Sequence, residues 1–329
     1  MLDNKKLFTE LIEERLRNVD IPDQPKTLYD PIFYTLSLGG KRIRPNLLLL
    51  SCGMCGGDPN EALSASVAIE LLHNFTLIHD DIMDKADTRR GEISVYKKWN
   101  SPIAILSGDA MFAHAIKQLN YYGHSNKFGK DQFIKLYELF VDAVITVCEG
   151  QALDLQFESE IDVSIDEYVT MITSKTAALI SCSMQMGAII AGTSEENVQL
   201  AGKIGSEAGL AFQIQDDLLD AIGDPEIFGK KTGGDIYEGK KTYLSILALK
   251  KADSKQKAYL IEHLQNKNKD VIVVKEIIQL YRKLGVIDET KQTIDYHYQK
   301  SLQYLHNFGH SDYRDDIAKL LNLLTKRDR

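Results

Sequence analysis

The stretch HNFTLIHDDIMDKADTRRG, residues 73–91, decides the fold. It carries Asp80, Asp81 and Asp84, then Asp87, Arg89 and Arg90, on what reads as the end of an apolar helix. Residues four apart share a helical face, so Asp80 and Asp84 point the same way, with Asp87 a turn further on. Like charges at that spacing repel by about 0.2–0.5 kcal/mol on an isolated helix. A divalent cation is the simplest group to offset them. The same pattern returns in FQIQDDLLD as Asp216, Asp217 and Asp220.

Outward from these motifs the chain is helical in pattern. Apolar residues recur at helical spacing over 4–19, 27–38, 43–55, 60–84, 101–121, 130–157, 165–191, 195–220, 240–250, 254–266, 270–284 and 287–323. Loops are expected at 85–100, 121–129 and 221–239, and the prolines Pro22, Pro25, Pro31, Pro45, Pro59, Pro102 and Pro225 fall near boundaries. No alternating apolar and polar run flanked by hairpin turns argues for a sheet. With no low-complexity linker, the 329 residues read as one large all-α domain, a helical bundle around a deep apolar interior.

Composition narrows the function. The chain is 44% hydrophobic and 26% charged, ordinary for a globular protein, and its net charge of −8 argues against a basic nucleic-acid-binding surface. The four cysteines, Cys52, Cys55, Cys148 and Cys182, include one CxxC pair that nothing else completes into a zinc site. They read as small buried hydrophobes in a reducing compartment. The N-terminus, with Leu7, Leu11, Ile12 and Leu16, reads as an amphipathic helix rather than a signal peptide, and Ala177–Ala191 is too interrupted to span a membrane. A cytoplasmic protein is expected.

Basic residues accompany the acids. In GGKRIRP, two glycines let the backbone turn, and Lys41 and Arg44 follow on one face of a helix start that suits a phosphate. His79 reads as a hydrogen-bonded core residue and His73 as a ligand contact. Arg89 and Arg90 suit bidentate phosphate binding beside a metal held by the carboxylates. Lys175, between Ser174 and Thr176, either holds a phosphate or snorkels to the surface. Gln213 shares the helical face of Asp216 and Asp217, where its amide contacts substrate or caps a polar core network. Downstream, AIGDPEIFGKKTGGDIYEGKKT is a glycine-rich cationic loop with Lys230, Lys231, Lys240 and Lys241, lacking P-loop spacing. The chain closes on the basic residues Lys326, Arg327 and Arg329. Two acidic groups with separated cations describe a site for magnesium and two phosphorylated groups, above an apolar bore that suits a hydrocarbon tail.

These motifs resemble the trans-isoprenyl diphosphate synthases, or polyprenyl synthetases, in GGKRIRP, HNFTLIHDDIMDKADTRRG, SKT, FQIQDDLLD and GKKTGGDIYEGKKT, in the family's order from Gly39 to Lys240. The resemblance implies an all-α homodimer that condenses isopentenyl diphosphate with an allylic diphosphate. It implies three magnesium ions, with Asp80, Asp84 and Asp216 as main ligands and Asp81, Asp217 and Asp220 as further or water-mediated ones. Arg89, Lys175 and Lys240 would hold the allylic diphosphate, with Lys230 or Lys231. Lys41, Arg44, His73 and Arg90 would hold isopentenyl diphosphate, and Thr176 and Gln213 would lie beside the forming carbocation.

Product length is expected to be set on the helix before Asp80, where each residue back is about 1.5 Å deeper. Phe75 is bulky, Thr76 leaves room one turn below Asp80, and Leu72 lies a turn deeper. Phe75 five positions before the motif resembles archaeal-type short-chain synthases and implies a C20 geranylgeranyl product, with C15 farnesyl diphosphate as the alternative. A class I terpene cyclase would replace the second motif with an Asn/Ser/Glu metal motif. A non-catalytic partner subunit would lack several of the aspartates, and an HD phosphohydrolase needs histidines upstream of His73 that this chain does not have.

Overall fold

Helices form where the apolar periodicity places them, and polar caps set their ends. The computed structural model describes residues 4–160, 162–223, 232–265 and 270–325. Lys230, Lys231, Pro225, Gly229 and the basic residues Lys326, Arg327 and Arg329 lie outside them. The helices are α1 (Asn4–Arg17), α2 (Lys26–Ser37), α3 (Ile43–Met54), α4 (Leu63–Met83), α5 (Val95–Lys98), α6 (Ser101–His124), α7 (Lys130–Phe157), α8 (Ile165–Ile172), α9 (Ala178–Ile190), α10 (Glu195–Ile222), α11 (Gly234–Glu238), α12 (Tyr243–Lys251), α13 (Ser254–Gln265), α14 (Val271–Lys283), α15 (Val286–Leu305) and α16 (Asp312–Thr325). Asn100 caps α6 by accepting the Ile103 N–H, and Ser164 with Glu167 forms a capping box on α8. No described helix is long and apolar enough to cross a membrane.

Four departures from the periodicity matter. Pro31 sits inside α2 rather than at its edge. The expected loop at 85–100 contains a hairpin of β1 (Thr88–Arg89) with β2 (Glu92–Ile93), in antiparallel register Thr88 to Ile93 and Arg89 to Glu92. Arg90 and Gly91 form its two-residue turn with φ of 55° and 83°, the left-handed pair that a type I′ turn requires. The expected helix over 165–191 is interrupted by a π-turn at Thr173–Ala177. The expected helix over 287–323 breaks after Leu305: Asn307 donates to the Gln303 and Tyr304 carbonyls, and the Ser311 hydroxyl accepts the Arg314 N–H at the start of α16.

The chain divides into two compact units. The first comprises Met1–Val144, Cys182–Gly202 and Phe308–Ile317. Within it α4 packs along α6 and against α3, burying Ile69, Leu71, Leu72 and Ile78 with Leu47, Leu48, Leu49 and Leu50. Ala104, Gly108 and Ala115 keep the α6 face small enough for close approach, with Met111 buried between them; a Cβ on Gly108 would sit 2.4 Å from the His79 ring. The second unit comprises Ile145–Ser181, Lys203–Asn307 and Ala318–Arg329. Its core gathers Tyr168, Ile172, Ala177, Ile214, Leu218, Leu244, Leu260, Ile277 and Tyr281.

Candidate active site

In the first unit, α4 ends on the acidic motif. Asp80 and Asp84 are half-buried, and the Asp84 N–H closes the last turn on the Asp80 carbonyl (2.8 Å). Asp81 points inward and is buried. The hairpin after α4 reverses the chain, returning Arg89 to the helix that precedes it: Nε and Nη2 both donate to Asp81 Oδ1, and Nη2 lies 3.7 Å from Asp80 Oδ2. Burial pushes the Asp81 carboxyl up while Arg89 pulls against it. Burial acts to lower the Arg89 guanidinium, but Asp81 outweighs it and the group stays firmly charged.

The next residue serves a different partner. Arg90 Nη1 donates to the Gly39 carbonyl and reaches Asn74 Oδ1 at 3.5 Å. A Cβ on Gly40 would meet the Arg90 guanidinium at 3.1 Å, and φ of 145° there is itself open mainly to glycine. Arg44 Nη1 lies 3.2 Å from His73 Nε2; a guanidinium only donates, so Nε2 accepts and the ring proton sits on Nδ1. Burial, then the nearby Arg44, Arg90, Arg89 and Arg42, hold His73 well below its ordinary pKa, so it stays neutral. Lys41 is exposed and lies outside the helix, which starts at Ile43 rather than before Lys41.

Arg42, which the sequence reading passed over, organises this half. It caps α3 with φ of 46° and is buried. Its Nε donates to Glu13 (2.7 Å), Nη1 to Glu70 (2.5 Å) and Nη2 to the Leu36 carbonyl (3.2 Å). Glu70 also accepts from Asn74 Nδ2 (3.0 Å), so one buried carboxylate orients both Arg42 and the amide that Arg90 leans on. The chain-length candidates lie on the same helix. Phe75 stacks on Phe112 of α6 at 5.3 Å and meets the His79 ring edge-on at 4.7 Å. Thr76 donates to the His73 carbonyl, and Leu72 is buried. His79 Nε2 donates to the Ile105 carbonyl at 3.2 Å, a helix-to-helix contact as expected for a core histidine.

In the second unit the π-turn carries Lys175 and Thr176. Such turns occur mostly as single bulges at functional sites. Glycines of the neighbouring helices make room for it: a Cβ on Gly150 would lie 2.2 Å from the Lys175 nitrogen, and one on Gly209 would lie 2.5 Å from the Ala177 Cα. Lys175 Nζ pairs with Asp154. Asp154, a site residue that sequence reasoning missed, lies four residues after Gly150 in EGQALDL, and that glycine was the available signal. Thr176 Oγ1 donates to Gln213 Oε1 (2.9 Å), and Gln213 Nε2 donates to Asp217 Oδ1 (3.0 Å).

The second acidic motif splits in the same way as the first. Asp216 is half-buried. Asp217 is buried and takes three donors: Gln213, the Tyr168 hydroxyl, and the Tyr243 N–H at 3.1 Å. Burial, then Asp235, pushes its carboxyl up to about 7 against the pull of those donors. Asp220 Oδ2 accepts the Asp235 N–H (2.8 Å) at the start of α11, where Gly233 has φ of 80° and a Cβ on Gly234 would lie 2.9 Å from Asp220 Oδ1. Lys240 follows α11 and pairs with Glu238 at 3.2 Å.

Among the described residues no three His, Cys, Asp or Glu side chains converge into a preformed metal cage. The donor set present is oxygen only, two half-buried carboxylates per motif, with the Arg89 guanidinium beside the first. That chemistry fits magnesium, which binds through one or two carboxylates, waters and substrate phosphates rather than an all-protein cage.

Comparison with known proteins converges on one group. The family model described as "Polyprenyl synthetase" matches residues 25–281. The chain is 37% identical to the "Short chain isoprenyl diphosphate synthase" of Methanothermobacter thermautotrophicus, covering 100% of this chain and 99% of that one. It is 39% identical to the "Geranylgeranyl diphosphate synthase" of Saccharolobus solfataricus over 88% of each. The crystal structure of a geranylgeranyl pyrophosphate synthetase from Pyrococcus horikoshii superposes with a TM-score of 0.92 at 36% identity, over 98% of this chain and 97% of that one.

Proposed function

The chain belongs to the polyprenyl synthetase family, and from that premise we propose that it is a prenyltransferase condensing isopentenyl diphosphate head to tail with allylic diphosphates, giving geranylgeranyl diphosphate as main product. The observation that carries the reading is the end of α4, where half-buried Asp80 and Asp84 stand beside a guanidinium that the hairpin returns to Asp81. Carboxylates and a fixed cation side by side bind a metal and the anion that the metal also binds. The relatives named as geranylgeranyl diphosphate synthases and the bulk of Phe75 support the C20 product.

Asp80, Asp84 and Asp216 would hold magnesium, which stabilises charge on a departing diphosphate. Asp81, Asp217 and Asp220 would act as further or water-mediated ligands. Arg89, Lys175 and Lys240 would bind the allylic diphosphate, with Lys230 or Lys231. Lys41, Arg44, His73 and Arg90 would bind isopentenyl diphosphate. A neutral His73 offers the Nδ1 proton to a phosphate oxygen without adding to the positive charge of its arginine neighbours. As the allylic C–O bond breaks, Arg89, Lys175 and Lys240 would take up the growing negative charge of the diphosphate. Thr176 and Gln213 would face the cation, which the isopentenyl double bond attacks; the proton lost next would pass to the released diphosphate.

One all-helical domain over 1–329, three magnesium ions, a cytoplasmic site and a homodimer belong to the same proposal. The exposed apolar side chains Ile105 and Leu106 on α6, and Ile134 and Tyr137 on α7, support a covered face, which sedimentation would register as twice the 37.1 kDa chain mass. The reaction is tested by following diphosphate release from dimethylallyl, geranyl and farnesyl diphosphate with isopentenyl diphosphate. Release that needs both magnesium and isopentenyl diphosphate is expected. Release without isopentenyl diphosphate, accompanied by cyclic hydrocarbons, would favour a terpene cyclase.

A further inference from the structure

Asp217 fixes the position of every proton in a hydrogen-bonded chain that ends at Thr176. In its ionised form Asp217 only accepts, so Tyr168 must donate its hydroxyl proton to Oδ2, and Gln213 must turn its NH2 to Oδ1. With its NH2 committed, Gln213 has only its carbonyl left for Thr176. A carbonyl accepts in turn, so Thr176 gives its single hydroxyl proton to Gln213. What Thr176 retains is lone pairs.

We propose that Asp217 is a positioning residue for prenyl transfer: held by Tyr168 and the Tyr243 N–H, it sets the polarity of the chain so that Thr176 can offer only oxygen lone pairs to the allylic cation. The inference rests on the reading of Thr176 as a neighbour of that cation. An oxygen fixed as an acceptor stabilises positive charge as it develops, whereas the same hydroxyl reversed would present a proton and oppose it. Both oxygens of Asp217 are engaged by these three donors, and the residue is buried where Asp216 on the same helix is half-buried.

The test reverses the chain. In Asp217→Asn the Tyr168 and Tyr243 donors hold the new amide oxygen, and its NH2 faces Gln213. Gln213 then turns its carbonyl to residue 217 and its NH2 to Thr176, whose proton is forced outward. With saturating farnesyl and isopentenyl diphosphates, kcat is expected to fall about tenfold or more. The KM for the allylic diphosphate should stay at its wild-type value. In a Thr176→Val background, which has no hydroxyl to orient, the same substitution should cost nothing further.

A second variant restores the polarity with the total charge unchanged. In Asp217→Asn with Gln213→Glu, the new carboxylate accepts from both neighbours, and kcat should recover to within about threefold of wild type. An equal loss in both Thr176 backgrounds, or no recovery in the exchanged pair, would overturn the proposal. If Asp217→Asn does not fold, the exchanged pair alone decides by the same criterion. Wild-type protein inactive with every allylic primer would instead refute the prenyltransferase reading.

Discussion

Glu70→Gln is the substitution whose effect follows most directly from the geometry. Glu70 is buried, its side chain 3% exposed, and accepts from Arg42 (2.5 Å) and from Asn74 (3.0 Å). Glutamine preserves shape and one acceptor but removes the charge, leaving the fully buried Arg42 guanidinium with Glu13 as the one carboxylate of this pair to balance it. Glu13 is 30% exposed, so it offsets less of the desolvation cost than Glu70 does. Removing one partner of a buried ion pair costs about 3–5 kcal/mol, and the surviving Glu13 contact places this case near the lower end, about 3 kcal/mol. For a chain of this size that lowers the thermal midpoint by about 4 °C. Asn74 keeps the Glu70 backbone carbonyl (2.7 Å), but its contact with the side-chain oxygen of residue 70 (3.0 Å) loses the carboxylate charge, which loosens the support for Arg90 and the Gly39 loop. The KM for isopentenyl diphosphate should therefore rise severalfold while that for the allylic diphosphate does not. Calorimetry with initial-rate kinetics on both substrates would check this. An unchanged midpoint, or equal shifts in both KM values, would refute the reasoning.

Three further outcomes follow from other parts of the molecule. Gly150→Ala places a Cβ 2.2 Å from the Lys175 nitrogen, so the π-turn must shift; a loss of about 3 kcal/mol in chemical denaturation is expected, whereas Gly129→Ala, which meets open space, should change nothing. Phe75→Ala removes the ring that stacks on Phe112 and should yield products longer than C20 by mass spectrometry; an unchanged product would show that Phe75 is not the floor. His73, whose pKa is held below 6.5, binds less proton folded than unfolded, so stability should fall as pH drops through 6.5, by at most about 1.4 kcal/mol per pH unit. Melting curves between about pH 7.5 and 5.5 should show that slope flattened in His73→Gln.

The long helices and both aspartate motifs were legible because helical periodicity and acidic spacing are local properties of the chain. What escaped reading was set by tertiary contact. The strands of the hairpin are two residues long, too short for any alternation, and only the Arg90-Gly91 turn signalled them. The π-turn at Thr173–Ala177 depends on space left by Gly150 and Gly209, both remote in sequence. Arg42 looked like one more cation in GGKRIRP, yet its left-handed backbone turns it inward to Glu70 and Glu13, while Lys41 stays exposed. Glu70 and Tyr168 had nothing in their immediate sequence to mark them, and Asp154 only the glycine four residues before it; the residues they meet are what give them a role. The departure of helix 287–323 was more readable, since Asn307, Gly309 and Ser311 are ordinary stop and start residues.

The most direct test of the account is the length distribution of products from purified protein given magnesium, labelled isopentenyl diphosphate, and each primer from dimethylallyl to farnesyl diphosphate. The account predicts elongation from every primer with accumulation at C20. A folded protein that elongates none of them, with magnesium present, would contradict it.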